Sequence, residues 1–231
     1  IEVPPPDPAY RLQRVFLPDD VVDAFYYGYS NRVLWPLSHA HLGHVDPDPA
    51  YWPGYVDANA RFAGAIEAHV TPGGTVWVHD YHLALLGREL RHTVPENVDL
   101  AYYWHIPWAP PSVFTVLPRS GQLLSALLAY DVIGFQTETY RDHFFGAVER
   151  ELPSAVRDGG IIQYDGAATR VFVHPVGIDG RRIRSQVRDR SDTLGPDGVR
   201  SKYDLQEETI VLSVERIDYT KGIIDRLDAL E

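Results

Sequence analysis

The sequence contains no cysteine. Disulfides, thiolate catalysis and cysteine-ligated zinc are therefore excluded, and a cytoplasmic protein is the expectation. Long apolar runs are missing too: nothing approaches the ~18 continuous apolar residues of a membrane span. No basic-then-apolar leader opens the chain, which starts instead with the proline-rich IEVPPPDPAY. Positive charge is scarce, with 21 Lys and Arg against 32 Asp and Glu and a net charge of -11. That balance disfavours nucleic-acid and anionic-membrane partners, so any bound anion must be held by a local arrangement of donors and cations.

What is present suits a folded α/β protein. The 231 residues are 45% apolar and 23% charged, enough for one large domain or parts of two. Short apolar or aromatic runs alternate with helix-length amphipathic segments, the pattern of a parallel sheet flanked by helices. Strands are predicted at 75–80, 98–105, 131–136, 169–177 and 209–215. Helices are predicted at 19–37, 55–69, 82–93, 119–129, 138–151 and 196–204, with another starting near 220. TPGG (71–74) and RDGG (157–160) read as turns, and Pro107, Pro110 and Pro111 break the chain after a strand. There is no internal repeat.

Residues 180–207 are charged and poor in large apolar side chains, marking a domain boundary. The expected division is a first domain over 1–190, a linker over 191–206 and the beginning of a second domain over 207–231. Five arginines lie between Arg181 and Arg190, diluted by Asp179, Asp189 and Asp192, and are expected on a solvated helix face. One strand and the start of a helix do not make a second domain, so Glu231 reads as the end of a fragment, and the beginning is suspect on the same ground.

Parallel α/β sheets bind ligands beyond the carboxyl ends of their strands. Asp80, His105 and Arg216 all fall at such ends. In VWVHDYHLALL (76–86), alternation along a strand should make His79 and Asp80 diverge, which is poor geometry for a metal site that includes His82. Asp80 can cap a helix or accept from a ligand hydroxyl, and the residues alone leave both open. His105 in HIPW (105–108) can be a core histidine or a ligand contact. SVERIDYTKG (213–222) places Arg216 and Lys221 around a strand-to-helix turn, an arrangement that could cradle a diphosphate. The bland alternative pairs Arg216 with Asp218 or Glu215 and leaves Lys221 in solvent. Tyr27 and Trp35 in YGYSNRVLWPLSH (27–39) should share one face of an α-helix, where aromatics serve a core more often than a ligand.

Taken together and in order, these four stretches, with LLAYDVIGFQTETYRDHF (127–144) and HPVGID (174–179), resemble the trehalose-6-phosphate synthase family of retaining glycosyltransferases. The resemblance implies a GT-B type protein with two Rossmann-like domains, the first holding glucose 6-phosphate and the second a nucleoside-diphosphate glucose. It implies acceptor binding by Tyr27, Trp35 and Asp80. It implies contact with the donor glucose by His105 and with the donor diphosphate by Arg216 and Lys221, these last three being the catalytic set. Transfer with retention in this family needs no cofactor and no metal: the leaving diphosphate helps deprotonate the incoming hydroxyl. The family's N-terminal strand with its glycine-rich loop has no counterpart before Ile1, and its later acidic, glycine-containing loop would lie beyond Glu231. Trp108 and Ala109 also depart from the family pattern and bear on the shape of the acceptor pocket. Three rivals stand beside this reading: a relative with another acceptor, such as a glucosylglycerol-phosphate synthase or a pseudo-glycosyltransferase; a non-catalytic sugar-phosphate binding module; and a metal hydrolase using His79, Asp80 and His82. The donor base and any homo-oligomeric assembly are left open.

Overall fold

The computed structural model describes residues 2–3 and 10–230. The proline-rich run at 4–9 and the two chain ends lie outside the described residues, as do the side chains of 2–3, 190–194 and 196. The chain forms two compact units, Ile1–Pro175 and Val176–Glu231.

The first unit opens with a short antiparallel pair, β1 (Glu2–Val3) and β2 (Tyr10–Arg11). Its main sheet contains β3 (Thr75–His79), β4 (Asp99–Trp104), β5 (Val132–Phe135), β6 (Val156–Asp158), β7 (Ile161–Tyr164) and β8 (Ala167–Val173), in the order β3-β4-β5-β8-β7-β6. From β3 to β8 the ladder is parallel, as the alternating pattern predicts. β7 and β6 extend it as an antiparallel meander that the sequence reading lacked. Both turns of the meander have two residues: Gly159 and Gly160, then Asp165 and Gly166. Asp165 and Gly166 have φ of 48° and 77°, the backbone of a tight hairpin turn with an Asp-Gly centre.

Helices Tyr51–Glu67, Leu86–Thr93, Ser120–Leu127 and Glu138–Glu151 match the predicted helices to within a turn. The predicted helix at 19–37 is continuous over 19–38, but its centre, Asp23–Leu34, is wound as a π-helix between α-helical ends Asp19–Val22 and Trp35–Ser38. At its close the Trp35 N–H donates to the Ser30 carbonyl, five residues back. π-winding is rare and often marks functional positions. It also voids a face assignment made from α-helical spacing. The core sits between the sheet and these helices, with Trp104, Trp108, Tyr55, Tyr102, Tyr130, Phe114, Phe135 and Phe144 fully buried. Gly87 lets one of these rings approach, because a Cβ there would stand 2.4 Å from the Tyr130 ring.

The second unit contains helices Gly180–Leu194, Pro196–Lys202 and Ile223–Asp228. The arginine-rich segment is a helix exposed from Arg181 to Asp189, its start capped by the Asp179 carboxylate, which accepts from the N–H groups of Arg181 and Arg182. The predicted strand at 209–215 does not form. Val211, Leu212 and Val214 are 72%, 82% and 87% exposed, and no described segment of this unit offers the neighbouring ladder a strand requires. No helix among the described residues is long and apolar enough to cross a membrane.

Candidate active site

The parallel ladder brings the ends of β3 and β4 together. His79 lies opposite Tyr103, and immediately beyond, the Asp80 N–H donates to the Tyr103 carbonyl at 2.8 Å. Asp80 then turns the chain with φ 71° and ψ 165°, a region nearly reserved for glycine. A non-glycine residue there costs about 1–3 kcal/mol. Several bonds hold it: its carbonyl accepts from the Tyr102 hydroxyl at 2.8 Å and from the Leu83 N–H at 3.2 Å. Its carboxylate Oδ1 accepts from the Tyr81 N–H at 3.0 Å and, at a longer 3.4 Å, from the His105 N–H. Oδ2 takes no hydrogen bond among the described residues. Of the two roles the sequence left open, the structure shows the cap: Oδ1 caps the turn Tyr81–Leu83, while Oδ2 stands at the carboxyl edge of the sheet.

The aromatic surroundings of this turn come from the π-wound helix. Tyr26 stacks on His82 at 5.5 Å with planes 13° apart, and Trp35 packs against Tyr81 at 5.9 Å. The Tyr81 hydroxyl donates to Asn31 Oδ1 at 3.1 Å. Tyr27 is one step removed: it packs edge-on against Tyr26 at 5.2 Å, is 57% exposed, and lines a cavity of about 410 Å³ with Asp20, Asp23, Arg32 and Tyr51. The expectation that Tyr27 and Trp35 share one face rested on α-helical spacing, which the π-winding replaces. Tyr26 is the ring that sequence reasoning missed. Nothing in its immediate neighbours distinguishes it from Tyr27; only the winding does.

His105, exposed at the end of β4, meets His79 with Nε2 to Nδ1 at 2.9 Å. Burial, then the neighbouring His105, pushes the His79 imidazole below its ordinary value, against an opposite pull from Asp80. Burial likewise lowers His82, again opposed by Asp80. Among the described residues no three His, Asp or Glu side chains converge on a metal position. Trp108 does not shape the edge. Its ring is 1% exposed and stacks on Phe114 at 4.6 Å inside the core.

In the second unit Arg216 and Lys221 are exposed on either side of a turn built by Asp218. The Asp218 carboxylate accepts from the Thr220 N–H at 2.9 Å and hydroxyl at 2.7 Å. Burial would raise its pKa, but the Thr220 bonds and the charges of Arg216 and Lys221 together hold it below the usual carboxylate range. Glu215, one of the alternative partners for Arg216, bonds Arg226 and Ser213 instead, and these bonds lower its pKa in that order of origin: Ser213, then Arg226. Gly222, with φ 59°, closes the turn.

The profile of glycosyltransferase family 20 matches residues 6–231. An alpha,alpha-trehalose-phosphate synthase (UDP-forming) 56 kDa subunit from Kluyveromyces lactis is 35% identical over 226 residues, covering 94% of this chain and 45% of the relative. Two solved structures superpose closely. One, from E. coli, carries bound UDP-2-fluoro glucose, with a TM-score of 0.82, 33% identity, and coverage of 92% of this chain and 46% of that one. The other is a Burkholderia xenovorans alpha,alpha-trehalose-phosphate synthase (UDP-forming) in complex with glucose-6-phosphate, with a TM-score of 0.83, 28% identity, and coverage of 91% and 46%. The chain therefore spans a little under half the length of the proteins it matches. The expected GT-B class agrees with these neighbours and with the helix-flanked sheet. The chain belongs to glycosyltransferase family 20.

Proposed function

We propose that this chain carries the acceptor half, and the beginning of the donor half, of a retaining glycosyltransferase. That enzyme would move glucose from UDP-glucose to glucose 6-phosphate, giving trehalose 6-phosphate. The observation that carries the reading is Asp80: a carboxylate locked at the sheet's carboxyl edge by a glycine-type backbone, with Oδ2 open and His105 beside it. A fixed acceptor of this kind suits sugar hydroxyls, and the rings of Tyr26 and Trp35 around the same turn supply apolar walls. Relatives named as UDP-forming support uridine as the donor base. The first unit takes the acceptor, His105 contacts the donor glucose, and Arg216 and Lys221 bind the donor diphosphate.

The chemistry follows from charge. The diphosphate gains negative charge as the glycosidic bond breaks, so fixed cations stabilise the transition state more than the ground state. The remaining demand is alignment of two sugars on one face. No step calls on a cofactor, and the absence of cysteine fits a cytoplasmic setting. The test is incubation of a polypeptide of the relatives' length, carrying these residues, with UDP-glucose and glucose 6-phosphate. Release of UDP with formation of an α,α-linked disaccharide phosphate is expected. Turnover with glycerol phosphate in place of glucose 6-phosphate would assign another acceptor, and no transfer to either would leave a binding module.

A further inference from the structure

Two imidazoles face each other at the carboxyl edge of the sheet, one closing β3 and one following β4. His79 Nδ1 and His105 Nε2 are 2.9 Å apart, with ring centroids at 5.1 Å. A neutral imidazole has one donor and one acceptor nitrogen, and an imidazolium has two donors. A contact this short needs a proton on one of the two nitrogens and a lone pair on the other. The pair is clamped from outside. Trp77 packs on His79 at 4.5 Å and Tyr103 on His105 at 4.6 Å. The Tyr103 hydroxyl is itself engaged with the His174 carbonyl at 2.5 Å. The backbone N–H of His105 leans on Asp80 Oδ1 at 3.4 Å. The groups facing His79 are therefore His105, the Asp80 carboxylate and the Trp77 ring.

We propose that His79 is a positioning residue. With its Nδ1 lone pair accepting from the His105 Nε2–H, it fixes that ring in one rotamer and in the Nε2–H tautomer, so that the Nδ1 lone pair of His105 is presented to the donor sugar. The inference rests on the reading of His105 as the donor-glucose contact, and it adds a residue that the family resemblance did not supply. The depressed pKa of His79 supports it, because a ring kept neutral near pH 7 retains the lone pair the contact can use.

The test has a spectroscopic arm and a kinetic arm. In this chain, ring ¹⁵N spectra near neutral pH should show His105 as a single tautomer. His79→Phe keeps a ring against Trp77 but removes the nitrogen, and His105 should then populate both tautomers. His79→Asn places an amide near the lost Nδ1 and should restore one. If the phenylalanine variant does not fold, His79→Leu provides the same comparison. In the polypeptide of family length, His79→Phe should lower turnover by up to about a hundredfold, the order expected from misplacing a reacting contact by about 1 Å. The KM for glucose 6-phosphate should stay within about twofold, since a donor-side fault leaves acceptor binding alone. A folded His79→Phe protein in which His105 keeps its single tautomer would overturn the proposal. His105→Ala separates the two readings: if it leaves turnover unchanged, the donor role of His105 falls, while the tautomer result still decides whether His79 holds it.

Discussion

The two units hold their polar residues in opposite ways. In Ile1–Pro175, Asp80 and His105 are fixed by the strand ladder beneath them and by a core of buried aromatic rings. In Val176–Glu231, Arg216 and Lys221 are exposed on a short capped turn, and the apolar run before them is largely uncovered. The first arrangement is held by the sheet beneath it. The second presents charge from a turn built on the Asp218 carboxylate. The lesson is that positional precision in this chain comes from the ladder register and not from the polar residues themselves.

The largest expected contrast is in stability. Trp108→Ala empties a position at 1% exposure and should cost the first unit about 3–5 kcal/mol. Leu212→Ala, at 82% exposure, should change stability by less than about 0.5 kcal/mol. Chemical denaturation of both variants checks this, and similar losses at the two sites would break the contrast.

Next come the cations. In the polypeptide of family length, Lys221→Ala or Arg216→Ala should lower turnover about a hundredfold, the scale for removing one electrostatic group from a transition state. Folding should be unaffected, because both side chains are exposed. Circular dichroism beside steady-state kinetics separates the outcomes: lost structure would assign Lys221 to the fold, and unchanged turnover would return both residues to solvent.

Asp80 sharpens the comparison at smaller energies. Replacing the residue with glycine should relieve backbone strain of about 1–3 kcal/mol, offset by loss of the Oδ1 cap of about 1 kcal/mol. Asp80→Ala keeps the strain and loses the cap, so it should be the less stable of the two. Thermal unfolding of the pair checks the sign, and equal Tm values would remove strain from the account.

The smallest effect is on pH dependence. Burial holds the folded-state pKa of His82 below its ordinary value near 6.5. Above that pH both states are neutral and nothing is lost. As the pH falls below it, the unfolded chain takes a proton that the folded chain refuses, so stability declines until the folded pKa is passed. His82→Gln should flatten part of the decline between about pH 7 and 5, read by urea titration at each pH. An unchanged slope would place the acid sensitivity elsewhere.

Much of this was legible in the sequence. The runs VDLAYYWH and DVIGFQ read as strands because buried faces demand apolar residues, and TVWVHD, with Trp77 63% exposed on its open face, reads as one from its β-branched and aromatic residues; each forms within a residue or two of its predicted ends. The run TIVLSVE reads the same way and forms no strand, because pairing is a property of neighbours and not of the segment. The β6–β7 hairpin escaped notice because its strands are short and partly charged, although the Asp165-Gly166 turn beside it carried the signal. Asp80 was found at a strand end, but its glycine-type backbone was invisible, since aspartate signals the left-handed turn region and not the φ 71°, ψ 165° conformation seen here. Tyr26 was not singled out beside Tyr27 because the face was assigned at 3.6 residues per turn, whereas the π-winding of Asp23–Leu34 turns the same residues to other sides. The His79–His105 contact depends on the register between β3 and β4, which no single strand encodes.

The central claim is that the first unit holds a preformed acceptor site around Asp80. Titration of this chain with glucose 6-phosphate, followed by ¹H–¹⁵N NMR, tests it most directly. Saturable shifts should cluster at Trp35, Asp80, Tyr81, His82 and His105, and Asp80→Asn should weaken binding by about 1.5–3 kcal/mol, roughly ten- to a hundredfold in Kd. Saturable binding with shifts away from this turn, or an Asp80→Asn protein that binds as tightly as the parent chain, would contradict it.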